Sequence, residues 1–192
     1  MNRILIGLVL SMILFAACGR REGGGINAGT GGWPPSSSST PAEVSSSAQV
    51  VKVSASPIRI APESSADATI KISITPGYHV NANPATFPYL IPTEVRRIPE
   101  PDGFCARVGT LTYPAAKSLR FAFAETPLAV YEGDVEIKLP LRIPKRSESG
   151  CYGYPTSGAH GSLSFTVRVQ ACDDEKCYPP ANLETTIPIE VK

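Results

Sequence analysis

The sequence contains few of the residues on which most catalytic sites depend. Only two of its 192 residues are histidine, which leaves little for imidazole-based catalysis or for a histidine metal site. No Ser–His–Asp order, pair of catalytic carboxylates or phosphate-binding loop stands out, so neither a hydrolase nor a nucleotide-dependent enzyme is expected. No metal and no cofactor are expected either, because the cysteines lack the second pair that the usual zinc spacing requires.

An excess of charge of either sign is also lacking. The chain has 18 lysines and arginines against 17 aspartates and glutamates, a net charge of +1. Domains that bind nucleic acids usually carry a basic patch or stripe. Nucleic acid is therefore not an expected partner.

The hydrophobic run near the N-terminus is too short to cross a bilayer. It covers residues 4–17, follows Arg3 and ends before Cys18, whereas a spanning helix needs roughly 20 residues. A basic start, a short apolar segment and small residues at the end are typical of an export signal. The segment "FAAC" resembles the lipobox of bacterial lipoproteins, although Phe15 stands where that family usually has leucine. We predict a signal peptide over 1–17 and lipidation of Cys18; a cleaved soluble protein and an uncleaved anchor are the alternatives.

These features predict an exported protein that is lipid-anchored to the bacterial cell envelope and faces the periplasm. Gly19 follows the lipidated position, where an aspartate would act as a retention signal, and this slightly favours the outer membrane. Residues 18–49 are dominated by Gly, Ser and Pro, a composition typical of a flexible linker. Residues 50–192 then have the length of one domain.

Alternation of apolar and polar residues dominates residues 50–192, and helical periodicity is almost absent. Segments 68–74, 135–143, 163–171 and 183–191 each place apolar residues on one face, which predicts half-buried antiparallel strands. Weaker strand candidates are 50–54, 78–82, 93–98, 104–112, 119–124 and 128–132. Many short strands separated by turn signals predict an all-β domain with two packed antiparallel sheets.

Export makes disulfides the expected state of Cys105, Cys151, Cys172 and Cys177, and four cysteines allow three pairings. Strand parity places Cys172 on the outward face with Arg168, so it is not expected to pack in the core. The polar residues 173–176 predict a tight turn, which brings Cys172 and Cys177 within reach of a disulfide.

Three interpretations of the Cys172–Cys177 pair are open. It could be a structural disulfide, half of a metal site, or a thiol pair that carries out redox chemistry. On the loop-entropy model, closing this short loop stabilises the fold by roughly 2 kcal/mol, against roughly 4 kcal/mol for a Cys105–Cys151 bond. The weaker gain makes a purely structural purpose less compelling. Because three acids lie between the cysteines, a nearby thiolate is disfavoured. A disulfide that is attacked by a partner's thiolate fits this charge pattern.

From about Val50 to the C-terminus the sequence resembles the N-terminal periplasmic domain of the thiol:disulfide interchange protein DsbD. The resemblance is carried by the segments "GYHVNANPA" (77–85), "LIPTEV" (90–95), "GTLTYP" (109–114), "VYEGDVEIKLPL" (130–141) and "VQACDDEKCYPP" (169–180). It implies an immunoglobulin-like β-sandwich.

The resemblance also implies roles for individual residues. Cys177 would form the mixed disulfide with a thioredoxin-fold partner, and Cys172 would resolve it. A cap over the pair would lie near Leu111, Tyr113 and Pro114, although the family's usual aromatic cap sequence is not present as such.

The implied function is an extracytoplasmic relay of reducing equivalents, in which the domain is an oxidoreductase or electron carrier that depends on partner proteins. Its electrons would come from a CcdA- or DsbD-like membrane conductor and a thioredoxin-fold carrier. A mutual disulfide is predicted for Cys105 and Cys151, because the Gly-rich loop of Cys151 can reach segment 104–112; two unpaired thiols or an ancillary redox role are the alternatives. The alternative function is a binding or scaffold lipoprotein whose disulfides are only structural.

Overall fold

The computed structural model describes residues 43–99, 104–148 and 154–192, all of which belong to one structural unit, Pro41–Lys192. The predicted signal peptide, Cys18 and the linker as far as residue 42 lie outside the described residues. Within the described ranges, no helix has the length and apolar character needed to cross a membrane.

The described chain contains twelve strands and two short 3-10 helices. The strands are β1 (Val51–Ala55), β2 (Ile58–Ile60), β3 (Ser65–Ile74), β4 (His79–Asn81), β5 (Glu94–Arg97), β6 (Arg107–Val108), β7 (Lys117–Leu119), β8 (Leu128–Tyr131), β9 (Asp134–Arg142), β10 (His160–Val169), β11 (Ala171–Cys172) and β12 (Ala181–Val191). The 3-10 helices are Ser47–Gln49 and Arg146–Glu148.

These strands form three four-stranded sheets. Their orders are β1-β3-β9-β6, β2-β12-β10-β5 and β11-β4-β8-β7. All strand pairs are antiparallel except β2 with β12. Buried side chains of the first two sheets belong to one hydrophobic core, so these sheets are the two layers of the sandwich. The predicted all-β, immunoglobulin-like fold is confirmed, with a third small sheet that the sequence did not indicate.

The period-two pattern explains why the long strands form where they do. In β3 the side chains of Ile70, Ile72 and Ile74 are buried, and in β10 those of Phe165 and Val167 are buried, while the residues between them are more exposed. Because alternate side chains of a strand point to opposite faces, each strand contributes one apolar row to the core.

The four strong strand predictions correspond to β3, β9, β10 and β12. Two weaker ones are only partly right: 104–112 contains the two-residue β6, and 119–124 is a loop after β7 ends at Leu119. The short strand β2 was not predicted.

The chain returns to the third sheet directly after β10. Gln170 separates Val169, the last residue of β10, from β11, and β11 then pairs with β4 in the third sheet. The cysteine hairpin therefore extends from this small sheet.

Candidate functional site

Cys172 and Cys177 form a disulfide across a hairpin. Their Cα atoms are 3.9 Å apart, and the two residues form an antiparallel bridge. The backbone N–H of Asp173 donates to the carbonyl of Lys176 at 3.0 Å, and that of Tyr178 donates to the carbonyl of Ala171 at 2.8 Å. The hairpin that the sequence predicts is present, and the disulfide joins the pair between these two hydrogen bonds.

The side chain of Asp173 holds the turn of this hairpin. Its Oδ1 accepts from the backbone N–H groups of Glu175 and Lys176, both at 2.8 Å, and its Oδ2 accepts from the hydroxyl of Tyr178 at 2.5 Å. The Tyr178 hydrogen bond and then the two backbone hydrogen bonds lower the pKa of Asp173 to about 2. The same hydrogen bond raises the pKa of the Tyr178 phenol. A carboxylate therefore stands beside the disulfide at neutral pH.

Ser47 fixes the base of the hairpin from the N-terminal side. It is fully buried; its hydroxyl donates to the carbonyl of Pro179 and accepts from the backbone N–H of Ala171, both at 2.8 Å. Ala171 precedes Cys172, and Pro179 lies two residues after Cys177. A residue that the sequence assigns to the linker thus joins the two arms of the hairpin.

The parity prediction for Cys172 is wrong. Cys172 is 1% exposed, because the ladder of β10 ends at Val169 and the chain changes sheets at Gln170. Strand parity holds only within one continuous ladder, so the face of Arg168 says nothing about Cys172. Cys177, in contrast, is exposed. Of the two sulfur-bearing residues, only Cys177 is open to a large attacking group.

Cys177 lies in an open apolar groove of about 520 Å³. Two loops line it with aromatic residues: Phe87 and Tyr89 from the β4–β5 loop, and Phe123 from the β7–β8 loop. The large hydrophobic side chains that are exposed in the described part of the chain are Tyr89, at 76%, and Phe123, at 46%. Exposed hydrophobic clusters of this kind mark binding surfaces.

Hydrogen bonds at the base of the β4–β5 loop hold this side of the groove. Asn83 Nδ2 donates to the carbonyl of Thr93 at 2.9 Å, and the Thr93 hydroxyl donates to the carbonyl of Asn81 at 2.7 Å. The backbone N–H of Ala129, in β8, donates to the hydroxyl of Thr86 at 2.6 Å. These contacts fix the ends of the loop and leave Phe87 and Tyr89 at its outer part.

A stack of aromatic rings leads from the buried side of the site to the groove. His79, in β4, is the cross-strand partner of Cys172, and its ring stacks on Phe121 with centroids 4.1 Å apart. Phe121 in turn stacks on Phe123, with centroids 5.4 Å apart. His79 is 2% exposed, and its Nε2 has no hydrogen-bond partner among the described residues. Burial lowers the pKa of His79, so its imidazole is neutral at neutral pH.

Leu111, Tyr113 and Pro114 are not among the residues that line the groove at Cys177. Leu111 and Tyr113 pack against the core, and the Tyr113 hydroxyl accepts from the backbone N–H of Val95 at 3.0 Å. Tyr113 and Pro114 line a different groove, beside β9. The aromatic residues near Cys177 come instead from the β4–β5 and β7–β8 loops.

The second cysteine pair is described only in part. Cys105 is buried and disulfide-bonded, while Cys151 lies outside the described residues. The predicted Cys105–Cys151 pairing stays a prediction. Across the described ranges, no group of three or more His, Cys, Asp or Glu side chains is arranged to hold a metal ion.

Sequence reasoning missed the aromatic groove, the role of Ser47 and the position of His79. The alternation "FAFA" (121–124) suggested a strand, but an aromatic-rich stretch without an apolar continuation was a usable sign of an exposed loop. Ser47 has no comparable signal, because a serine in a serine-rich segment looks like linker.

Comparisons with known proteins identify the family of this chain. The family model described as "Thiol:disulfide interchange protein DsbD, N-terminal" matches residues 47–188, and no curated protein matches the chain significantly. Among solved structures, the reduced DsbD N-terminal domain of Neisseria meningitidis is similar with 13% identity and a TM-score of 0.39, over 66% of this chain and 79% of that one. The N-terminal periplasmic domain of ScsB from Proteus mirabilis is similar with 9% identity and a TM-score of 0.41, over 72% of this chain and 44% of that one. Because the family model covers most of the chain and includes the cysteine hairpin, this chain belongs to the family of DsbD N-terminal domains.

Proposed function

We propose that this domain relays reducing equivalents by thiol–disulfide exchange through Cys172 and Cys177. The observation that carries the proposal is the unequal exposure of the two residues: Cys177 is open in an apolar groove, while Cys172 is 1% exposed. Exchange requires attack on one sulfur along an accessible path. A bond that served only to staple a surface turn would not need one sulfur buried and the other presented in a groove.

The exposure pattern supports the following order of steps. A thiolate of a reduced partner attacks Sγ of Cys177, and Sγ of Cys172 leaves as a thiolate. The partner's second thiolate then attacks its own mixed-disulfide sulfur, so that Cys177 is released and the domain holds two thiols. Cys177 next attacks the disulfide of an oxidised protein, and Cys172 closes the disulfide again and frees the target as a dithiol.

The acids at the turn favour attack by the partner over attack by the domain. Asp173 is ionised at neutral pH, and Asp174 and Glu175 follow it in the sequence. Negative charges near a cysteine disfavour its thiolate. The activated thiolate is therefore expected to come from a thioredoxin-fold partner, whose own site lowers its thiol pKa.

We assign the cover of the redox pair to the aromatic groove. Phe123 and Tyr89 are exposed and lie in the groove of Cys177, where they shield the sulfur from small oxidants and offer a partner an apolar contact. The resemblance assigned this cover to Leu111, Tyr113 and Pro114, whose contacts to the core and to a separate groove support a structural role instead.

The cellular setting follows from the N-terminal residues. We propose that residues 1–17 are a signal peptide, that Cys18 carries a lipid anchor in the bacterial envelope, and that the residues after Cys18 link the anchor to the folded domain, which begins before Ser47 because that side chain is buried against the cysteine hairpin. A flexible linker of about 25 residues would reach about 25 to 30 Å, which would let the domain meet a CcdA- or DsbD-like membrane conductor. Its acceptors would be oxidised extracytoplasmic proteins.

A reduction-potential titration tests the relay. The full chain is equilibrated with defined ratios of reduced and oxidised dithiothreitol, and mass tags that react with free thiols count the reduced cysteines. We expect Cys172 and Cys177 to be reduced together at a potential above about −300 mV, while Cys105 remains oxidised. A potential below about −300 mV, as low as that of an ordinary structural disulfide, would refute the relay and favour the scaffold function.

A further inference from the structure

We propose that His79 accepts the proton of the Cys172 thiol when Cys172 attacks the mixed disulfide at Cys177. This inference rests on the proposed function, because it assigns a residue to its resolving step. His79 would be a catalytic residue of that step and would not contact the partner protein.

The strand register brings the two side chains together. His79 is the direct cross-strand partner of Cys172 in the β4–β11 pair, and directly opposed residues of an antiparallel pair have Cβ atoms about 4.5–5.5 Å apart on one face. An imidazole and a thiol on such neighbouring Cβ atoms are within reach of each other. Both residues are at least 98% buried, at 2% and 1% exposure, so water does not compete for the contact.

Among the described residues, none is a hydrogen-bond partner of His79 Nε2 in the oxidised state, although buried polar atoms are nearly always paired. A disulfide sulfur carries no proton and therefore offers Nε2 no donor. Reduction creates an S–H donor at Cys172. In the reduced state, the Cys172 thiol would therefore supply the hydrogen-bond donor that Nε2 of His79 lacks in the oxidised state.

The surrounding charges make a base at this place useful. The charged groups that act on His79 are Glu132, after the end of β8, and Asp173 and Asp174, in the hairpin turn. All three are acidic, and they disfavour a thiolate at Cys172, as does the burial of its sulfur. Burial also keeps the imidazole neutral, against the opposing effect of these acids, so Nε2 is able to accept a proton. Stacking on Phe121 fixes the plane of the ring.

In the mixed disulfide, Cys177 is bonded to the target's sulfur and Cys172 is a thiol. The Cys172 proton passes to Nε2 of His79, and the Cys172 thiolate attacks Sγ of Cys177. The Cys172–Cys177 bond forms, the bond to the target breaks, and the target leaves as a thiolate that takes its proton from solvent or from the imidazolium. Two electrons have moved from the domain to the target.

Stopped-flow reaction with 5,5′-dithiobis(2-nitrobenzoate) separates this step from the first attack. The full chain carries Cys18→Ser, so that only the hairpin thiols react, and it is reduced and then mixed with excess reagent. Attack by Cys177 releases the first nitrothiobenzoate at a rate that depends on reagent concentration. Resolution by Cys172 releases the second at a rate that does not.

We expect His79→Gln to slow the second release about 100-fold at pH 7 and to leave the first release nearly unchanged. The two proteins should converge above the pKa of the Cys172 thiol, where the thiol ionises without a base. His160→Gln is the matched control, because His160 is exposed at the start of β10 and should change neither phase. A second release that is unchanged at pH 7, or that is slowed equally at every pH, would overturn the inference.

Nitrogen-15 NMR of the unsubstituted protein gives a readout that needs no folded variant at position 79. On reduction, the Nε2 resonance of His79 should move upfield as it gains a hydrogen-bond donor, while the resonances of His160 stay in place. An unchanged His79 resonance would overturn the inference even if the relay operates. Absence of the first release, or of any resolution in the unsubstituted chain, would instead refute the relay itself and this inference with it.

Discussion

Replacing Ser47 by alanine should destabilise the hairpin base by an amount that the structure allows to be worked out. The Ser47 hydroxyl is the acceptor for the buried N–H of Ala171 and a donor to the carbonyl of Pro179. The Pro179 carbonyl keeps a second donor in Ser47→Ala, the backbone N–H of Ser47 at 3.1 Å. The N–H of Ala171 loses its acceptor, and a buried unpaired donor costs about 1–3 kcal/mol. We expect a loss of about 2 kcal/mol.

Urea unfolding of the oxidised protein, followed by far-ultraviolet circular dichroism, measures this loss. With a slope of about 2 kcal/mol/M, the midpoint should fall by about 1 M. Amide hydrogen exchange at Ala171 should become faster by about 30-fold, since every 1.4 kcal/mol is a factor of ten. Ser54→Ala is the control, because Ser54 is exposed in β1 and surface substitutions stay within about 0.5 kcal/mol. A Ser47→Ala variant as stable as Ser54→Ala would refute the role given to Ser47.

Three further predictions concern the turn, the groove and the sandwich. The pKa of Asp173 is lowered from 3.8 to about 2 in the folded state. The stabilisation that its carboxylate gives to the fold is therefore fully present above pH 4 and is lost as the pH falls towards 2. The full shift corresponds to about 2.4 kcal/mol, which solvent screening reduces to about 1 kcal/mol. Asp173→Asn should therefore be less stable than the unsubstituted protein at pH 6 and equally stable at pH 2, and a difference that persists in acid would contradict this. Phe123→Ala should raise the rate at which the reduced hairpin reacts with oxidised glutathione severalfold, whereas Tyr113→Phe should not, and the reverse result would return the cover to Tyr113. Gly161→Ala should lower the melting temperature by several degrees, because a β-carbon at position 161 would overlap the ring of Phe104 and overpacking costs about 1–3 kcal/mol. An unchanged melting temperature would contradict this and would show that the Phe104 ring moves freely.

The long strands were predictable from the sequence because their signal is local. Apolar rows such as Ile70–Ile72 in β3 and Phe165–Val167 in β10 are buried as the alternation requires. A half-buried strand imposes this period whatever its partner is. The same logic failed for Cys172, since parity does not continue through Gln170 into another sheet, and no local pattern marks that change.

The groove was not predictable because its parts are distant in the sequence. Tyr89 and Phe123 belong to separate loops, and only the third sheet brings both of them to Cys177. The cysteine spacing was enough to predict a hairpin disulfide. It did not say which sulfur is exposed, and the chemistry depends on that difference.

Trapping of mixed disulfides tests the central claim, attack at Cys177, most directly. The full chain with Cys18→Ser and Cys172→Ser, and separately with Cys18→Ser and Cys177→Ser, is mixed with an oxidised thioredoxin-fold protein, and the products are separated on non-reducing gels. We expect a stable mixed disulfide with Cys172→Ser, because exposed Cys177 attacks and no resolving thiol remains, and none with Cys177→Ser, because Cys172 is buried. A mixed disulfide that forms through Cys172 as readily as through Cys177 would contradict the account.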